Sequence, residues 1–442
     1  MKKYIWYLPL LLGLLLSGCE DLLDVQTTAS LNVEDGVITT KERANLAING
    51  MYDGLQDEEY YANYLITFGD LAADNLDHTG TFTTSKQVDN NEVLTNNVTL
   101  NTVWDQVYYV INMANTIIAD VPQIDNIDQA TADRMQGEAY FVRALSYFSL
   151  VKSWGGVPLQ ITPVRNTTDV EKLSRSSVSQ VYDQIESDLD DAIGGLEGFM
   201  ENGRASAWAA KALKSRVHLY QGEYQLAHDL ADDVIKNGPY ALEQDFTAIF
   251  DYQNPYSSES IFEVDFTGQD ANSLAFWYFE DDFGGRYEYG VNPGLVNAYE
   301  PDDERLGAVY FYPSTGNYMV YKYQDIGSGS DNVMVLRLGE MYLNRAEALF
   351  YGATGTSTAA DDINTIRNRA SLTDLEEAVS LDILLDERRK ELAFEGHRWY
   401  DLTRTDRGVE VLPNVTSTDQ YLWPIPQGER DVNPNLDQNP GY

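Results

Sequence analysis

Cysteine is almost absent from this 442-residue chain, in which Cys19 stands alone. A single thiol forms no intramolecular disulfide, no CxxC redox pair and no Cys-rich zinc site. Histidine is nearly as scarce: the four present lie too far apart for the HExxH spacing of a zinc protease. Basic charge is also in deficit. Thirty Lys and Arg face seventy Asp and Glu, a formal net charge of −40, which disfavours unaided binding to nucleic acid or to an anionic lipid surface. No Walker loop and no GxSxG elbow occurs, and no apolar run reaches the roughly 20 residues that cross a bilayer. What the chain does hold is apolar mass, 43% hydrophobic and 12% aromatic, enough for a substantial core and too much for a disordered chain.

Lys2 and Lys3 precede an apolar stretch from Ile5 to Leu16, which ends in Leu16-Ser17-Gly18-Cys19. This has the shape of a secretory signal, and small residues ahead of one Cys are similar to a bacterial lipobox. Cleavage before Cys19 and acylation of its thiol are expected, so 1–18 reads as a lipoprotein signal peptide and the mature chain begins at Cys19. Two or more acyl chains hold a protein on a membrane stably. Glu20, Asp21 and Asp24 follow directly, an acidic start that resembles the surface-export signals of some Gram-negative lipoproteins. The expected location is the outer membrane, lipid-anchored at the cell surface.

The body reads as helical hairpins. Trp208, Ala212, Ser215 and Leu219 share one helix face, and Tyr224, Ala227, Ala231 and Val234 another, with Gln221-Gly222-Glu223 breaking between them. Asn237-Gly238-Pro239 ends the second. Two short helices about a Gly turn, with Ala at the contact, resemble a tetratricopeptide hairpin. Further helices are predicted near Lys41–Gln56, Thr102–Val121, Thr131–Trp154, Val178–Leu196, Leu336–Tyr351, Thr358–Arg369 and Leu381–Thr403. Ser380 is placed to cap the last one, and Gly396 inside it predicts a bend or a close backbone contact.

Two long tracts interrupt the helices. About 70–101 is polar and rich in Thr and Asn, and about 251–331 alternates short strand-like runs, such as Ser260–Phe266, with Gly- and Asn-rich turns. Eleven of the forty residues from Asp251 to Gly290 are aromatic, and nine are acidic against one basic, Arg286.

Three stretches carry a family likeness: QGEAYFVRALSYFSLVKSWGGVPL from Gln136 to Leu159; LRLGEMYLNRAEAL, INTIRNRASL and DERRKELAFEGHRWYDLTR between Leu336 and Arg404; and WPIPQGERDVNPNLDQNPGY from Trp423 to Tyr442. In this order, behind a lipobox, they resemble the SusD/RagB family of surface glycan-binding lipoproteins. The resemblance implies a mainly α fold over 19–442, with tetratricopeptide-like hairpins on one side and irregular loops with a few short strands on the other. It implies a non-enzymatic function: capture of an oligo- or polysaccharide and its delivery, as a lid, to a SusC-like TonB-dependent outer-membrane transporter. Some members resemble peptide importers, which leaves a peptide-uptake lid as the alternative and a glycoside hydrolase as a more distant one. The motif residues Arg388, Arg389, Glu391, Glu395 and Arg398 sit at helical spacings where ion pairs fix packing, so they read as scaffold, and Trp104 and Trp399 as core.

A sugar ring presents an apolar face of C–H groups and a rim of hydroxyls, so its site needs flat aromatic platforms flanked by amide, carboxylate or guanidinium groups. In the second tract Trp277, Tyr278, Tyr287 and Tyr289 are the expected platforms, with Phe279 beside them and Arg286, Asp281 and Asp282 as hydroxyl partners. Asp74, Asn75 and His78 of the first tract are the expected other wall. The acidity of the second tract opposes a polyanionic glycan unless calcium bridges it, and favours a neutral glucan or fructan. No cofactor and no resident metal is otherwise expected.

Overall fold

Side-chain caps start many of the helices, each satisfying a backbone N–H that the helix leaves unpaired. The computed structural model describes residues 38–442, which form one compact unit; the signal peptide and Cys19 lie outside the described residues. In chain order the first half holds α1 (Lys41–Asp53), α2 (Tyr64–Leu71), β1 (Leu76–His78), α3 (Thr83–Asp89), α4 (Val98–Asp120), α5 (Gln129–Trp154), α6 (Val178–Gly195), α7 (Ala207–Gln221) and α8 (Tyr224–Asn237). Then come β2 (Ser260–Val264), α9 (Leu274–Tyr278), β3 (Tyr289–Val291), α10 (Pro293–Ala298), β4 (Val309–Tyr312), β5 (Asn317–Val320) and β6 (Val333–Arg337). The chain closes with α11 (Leu338–Phe350), α12 (Ala359–Arg369), α13 (Leu381–Glu391), α14 (Arg398–Arg404), α15 (Gly408–Val411) and α16 (Gln427–Val432). This is the mainly α architecture that the periodicities predict.

Asp128 caps α5, Ser206 caps α7 and Ser380 caps α13, while Ser177 with Gln180 and Thr358 with Asp361 form reciprocal capping boxes on α6 and α12. Gly222 turns the chain between α7 and α8 in the left-handed conformation, φ 75°. The helices stack on one another, α5 on α6, α7 on α8, and α11 against both α8 and α12. The strands occur as three separate two-stranded antiparallel sheets, β1 with β3, β2 with β6 and β4 with β5. Pairing of β1 with β3 sets Leu76 opposite Val291 and His78 opposite Tyr289, and so joins the two irregular tracts across more than two hundred residues of sequence.

Buried aromatic rings anchor the scaffold. Trp154 meets Trp104 and Trp423 edge-on, each at 5.4 Å between centroids, and its indole Nε1 donates to the Pro424 carbonyl at 3.1 Å. The C-terminal segment is thereby locked to α5. Trp104 and Trp399 are buried, as their apolar faces predict.

Charged motif residues form a second, polar core. Arg337 reaches Glu391 at 2.6 Å and Glu395 at 2.8 Å, Arg305 reaches Asp303 and Glu387 at 2.8 Å, and Arg388 reaches Asp401 at 2.9 Å, all of them buried. Breaking one partner of such a pair leaves a naked buried charge and costs about 3–5 kcal/mol.

Two expected elements differ. The helix predicted over Leu381–Thr403 divides into α13 and α14, because Phe394 and Gly396 both take positive φ, 65° and 76°, between them. Gly396 also provides the expected close contact: a Cβ on Gly69 of α2 would lie 2.5 Å from its carbonyl oxygen. The tract 70–101 is less irregular than expected, since β1, α3 and the first turn of α4 lie within it. A three-residue strand and a seven-residue helix are too short to leave a readable period.

Candidate functional site

Glu288 organises the place where the two tracts meet. Its side chain is buried, and its Oε1 accepts the backbone N–H groups of Thr81 at 2.9 Å and Phe82 at 2.6 Å, together with His78 Nε2 at 3.1 Å. Gly80 makes this approach feasible, for a Cβ there would fall 2.1 Å from Glu288 Oε2. The loop after β1 is therefore wrapped around one carboxylate, and Phe82 is carried to Trp277.

The aromatic group that results is mixed in exposure. Phe82 meets Trp277 edge-on at 5.3 Å, and Phe276, exposed, meets Trp277 at 4.8 Å. The Arg286 guanidinium lies 4.4 Å from the Phe82 centroid and 5.4 Å from that of Trp277. Its Nη2 donates to Thr81 Oγ1 at 3.0 Å, and its Nε is 3.4 Å from Glu288 Oε2. The indole Nε1 of Trp277 donates to Ser273 Oγ at 2.8 Å and Glu58 Oε1 at 3.1 Å. Asp57, Glu58 and Glu59 make this edge acidic. A hydrogen bond with Asp57, aided by burial, pushes the Glu59 carboxyl up to about 7, and burial beside Glu58 and Glu59 pushes the Tyr64 phenol up to about 12.

Of the residues expected here, Trp277 and Arg286 come together. Tyr287 lies next to them, half-buried at φ 51°, with its hydroxyl donating to the Tyr318 carbonyl at 3.1 Å. Tyr278 and Tyr289 do not offer a platform. Both are fully buried, Tyr278 bonded to Thr67 at 2.8 Å and Tyr289 to Ser85 at 2.9 Å. Residue spacing cannot separate a ring that faces solvent from its neighbour that faces the core in so short a helix or strand.

The expected wall of Asp74, Asn75 and His78 is likewise absorbed by the scaffold. Asp74 holds Arg398 at 2.7 Å and Arg389 at 3.1 Å. Burial raises its carboxyl, and the two guanidiniums outweigh that and hold it below the usual range. Asn75 is buried between Asp70, at 2.6 Å, and Arg389, at 2.9 Å, and His78 serves Glu288. Arg389 and Arg398 lie more than three hundred residues along the chain from Asp74 and Asn75, which no local pattern reveals. Asp281 and Asp282 are exposed.

Sequence reasoning missed Phe82, Glu58 and Glu288. Phe82 had a signal, since it is the single aromatic residue between Asp70 and Asn101; the two carboxylates had none among seventy. A concavity of about 720 Å³ lies elsewhere, bordered by Leu94, Gln420 and Tyr442. Trp277 and Phe82, each half-buried, and exposed Phe276 are not among the residues that border it.

Among the described residues one group of possible metal ligands is gathered, Glu186, His218 and Glu223, within 4.8 Å of one another. Its own hydrogen bonds account for it: His218 Nδ1 pairs with Glu223 at 2.6 Å, and Gln221 donates to Glu186 at 2.6 Å. No helix among the described residues is long and apolar enough to cross a membrane.

Comparison with known proteins agrees with this architecture. Residues 21–219 match a family model described as starch-binding associating with outer membrane, and residues 251–412 and 406–442 match that of the SusD family. SusD-like protein P2 of Formosa agariphila is 29% identical, with all of both chains covered. The starch-binding protein SusD of Bacteroides thetaiotaomicron is 32% identical over 130 residues, 25% of this chain and 22% of that one. A laminarin-binding SusD-like protein of known structure superposes with a TM-score of 0.83 at 26% identity, over 92% of this chain and 100% of the other. With a helical scaffold, two looped tracts joined at β1–β3 and matches from residue 21 to the C-terminus, the chain belongs to the SusD/RagB family, glycan-binding proteins associated with the outer membrane.

Proposed function

We propose that this chain is a cell-surface lipoprotein, anchored through Cys19, that captures a neutral glucan or fructan at the Phe82–Trp277–Arg286 group. It delivers the glycan, as a lid, to a SusC-like TonB-dependent transporter in the outer membrane. The observation that carries this reading is the joining of aromatic rings from both tracts with a guanidinium and carboxylates at their edge. Rings stack on the C–H face of a sugar, and Arg286, Glu58 and Thr81 reach its hydroxyls. The one guanidinium is already paired with a buried carboxylate, and Glu58 stands at the Trp277 indole with Asp57 and Glu59 next to it in the chain, so a polyanion meets repulsion there. The laminarin-binding relative supports a glucan. The family likeness to starch- and glycan-binding proteins supports reading the site as one of binding and not of catalysis.

Calorimetry of residues 20–442 against laminarin, levan, inulin, starch, mannan, xylan, pectin and alginate tests this. Binding to one neutral polymer is expected, weakened in Trp277→Ala by about 1–3 kcal/mol with the melting temperature nearly unchanged. Silence across the panel from folded protein, or binding indifferent to that substitution, overturns the assignment; binding of peptides in its place supports the peptide-uptake alternative.

A further inference from the structure

A second aromatic surface lies on the β4–β5 hairpin, outside the group around Trp277. Phe283 and Tyr310 are each 38% exposed, Phe311 48% and Tyr321 37%. Phe283 meets Tyr312 at 4.9 Å and Tyr310 at 6.0 Å, Tyr310 leans on Tyr321 at 5.6 Å, and Tyr321 is stacked on buried Phe279 at 6.1 Å with 9° between the planes. Strand alternation puts Tyr310 and Tyr312 on one face of β4, and Met319, opposite Tyr310, is buried with its sulfur accepting the Glu280 N–H at 3.2 Å. Buried Met319 and Phe279 thus hold the strip on the core, while Phe283, Tyr310 and Tyr321 stay partly exposed.

Polar groups border the rings. Asp282 accepts the Tyr312 hydroxyl at 2.6 Å, and Glu280 accepts Asn317 Nδ2 at 2.6 Å and Thr315 Oγ1 at 2.9 Å. Flat rings edged by carboxylates and amides repeat the chemistry of the group around Trp277.

One loop links the two surfaces. Backbone N–H groups of Arg286, Tyr287 and Glu288 donate to the carbonyls of Phe276, Phe279 and Trp277, each at 2.8 Å, so the segment doubles back on itself. Gly285 allows the fold, because a Cβ there would sit 2.1 Å from the Phe279 oxygen. Trp277 and Arg286 stand at the base of this loop and Phe283 at its tip.

We propose that Phe283, Tyr310 and Tyr321 form a second platform for further units of the same glycan chain held at Trp277, so that the protein selects an extended oligosaccharide over a short one. This rests on the reading of the Trp277 group as a glycan site. The occupant follows from continuity, since the loop that carries Trp277 and Arg286 also sets Phe283 against Tyr310 and Tyr312, and from the carboxylates and amides that edge the rings.

The test is calorimetry of the full chain in detergent with three ladders: laminaribiose to laminarihexaose, maltose to maltohexaose, and the matching inulo-oligosaccharides. In one ladder affinity should climb with length, and the Phe283→Ala/Tyr310→Ala double variant should lose about tenfold for the hexamer while the dimer is unaffected. Phe283→Ser, a single change at the exposed loop tip, should reproduce the effect in part if the double variant melts early. Hexamer affinity that ignores Phe283→Ser and the double variant but falls in Trp277→Ala overturns the second platform and leaves the first site standing. Failure of every ladder to bind the unaltered chain overturns both.

Discussion

Arg286 divides its guanidinium between two ring faces and the buried Glu288, and Glu288 in turn holds the backbone of Thr81 and Phe82. One carboxylate therefore sets the position of a ring that contributes the first tract's share of the site. Glu288→Ala releases two backbone donors and a His, each loss of a charge-assisted bond costing about 1.5–3 kcal/mol. It is expected to detach the Phe82 loop and weaken glycan binding, while Glu288→Gln, which keeps an acceptor oxygen, retains most of it. Calorimetry on the two variants checks this; equal losses in both would show that charge at Glu288, and not loop position, matters for binding.

At the scale of elements, the contact of α2 with the turn between α13 and α14 decides how the first tract is set on the scaffold. Gly69 lies against the Gly396 carbonyl, and the Gly396 N–H donates to the buried Asp70 at 2.8 Å. Burial pushes Asp70 up to about 6, against the lowering effect of Asn75 and of this N–H. A methyl group at Gly69 has backbone, not a yielding side chain, in its way. Gly69→Ala should lower the urea midpoint by the equivalent of about 1–3 kcal/mol. An unchanged midpoint would show that the two backbones part without cost.

Across the whole molecule, acid tolerance follows from the polar core. Burial raises Glu391, but Arg369, Arg337 and Arg305 outweigh it and hold its carboxyl well below the usual value of 4.5; Glu395 and Asp401 are lowered in the same way by their guanidinium and ammonium neighbours. A carboxyl depressed in the folded state binds fewer protons there than when unfolded, so its stabilisation is complete above about pH 4.5 and is lost progressively as the pH falls below it. Carboxyls that burial raises, among them Glu259, Asp70 and Asp331, work in the opposite sense, so the share that belongs to Glu391 is read by comparing the protein with Glu391→Gln. Between pH 5 and pH 3, values set by the 4.5 reference, the melting temperature of the unaltered protein, relative to its own value at neutral pH, should lose more than that of Glu391→Gln, which is less stable at neutral pH. Equal slopes would remove Glu391 as a source of acid lability. At the other end of the chain, Cys19→Ala should move the protein from the membrane fraction to the soluble one in cell fractionation, and retention on the membrane would refute lipid anchoring.

Most of the scaffold was legible because its determinants are local. Caps such as Ser380, the Gly222 turn and the apolar stripes of α7 and α8 act within a few residues, and the motif arginines announce ion pairs by their helical spacing. The candidate site was legible only as a region. Local aromatic density marked the segment that carries Trp277 and Arg286, but Tyr278 and Tyr289, one and three residues from them, turned inward, and Asp74 and Asn75 were taken up by Arg389 and Arg398. Whether a ring faces sugar or core, and whether a carboxylate is free or paired, depends on contacts between residues two to three hundred positions apart. The β1–β3 pairing and Glu288 make those contacts, and only the folded chain brings them within hydrogen-bond reach.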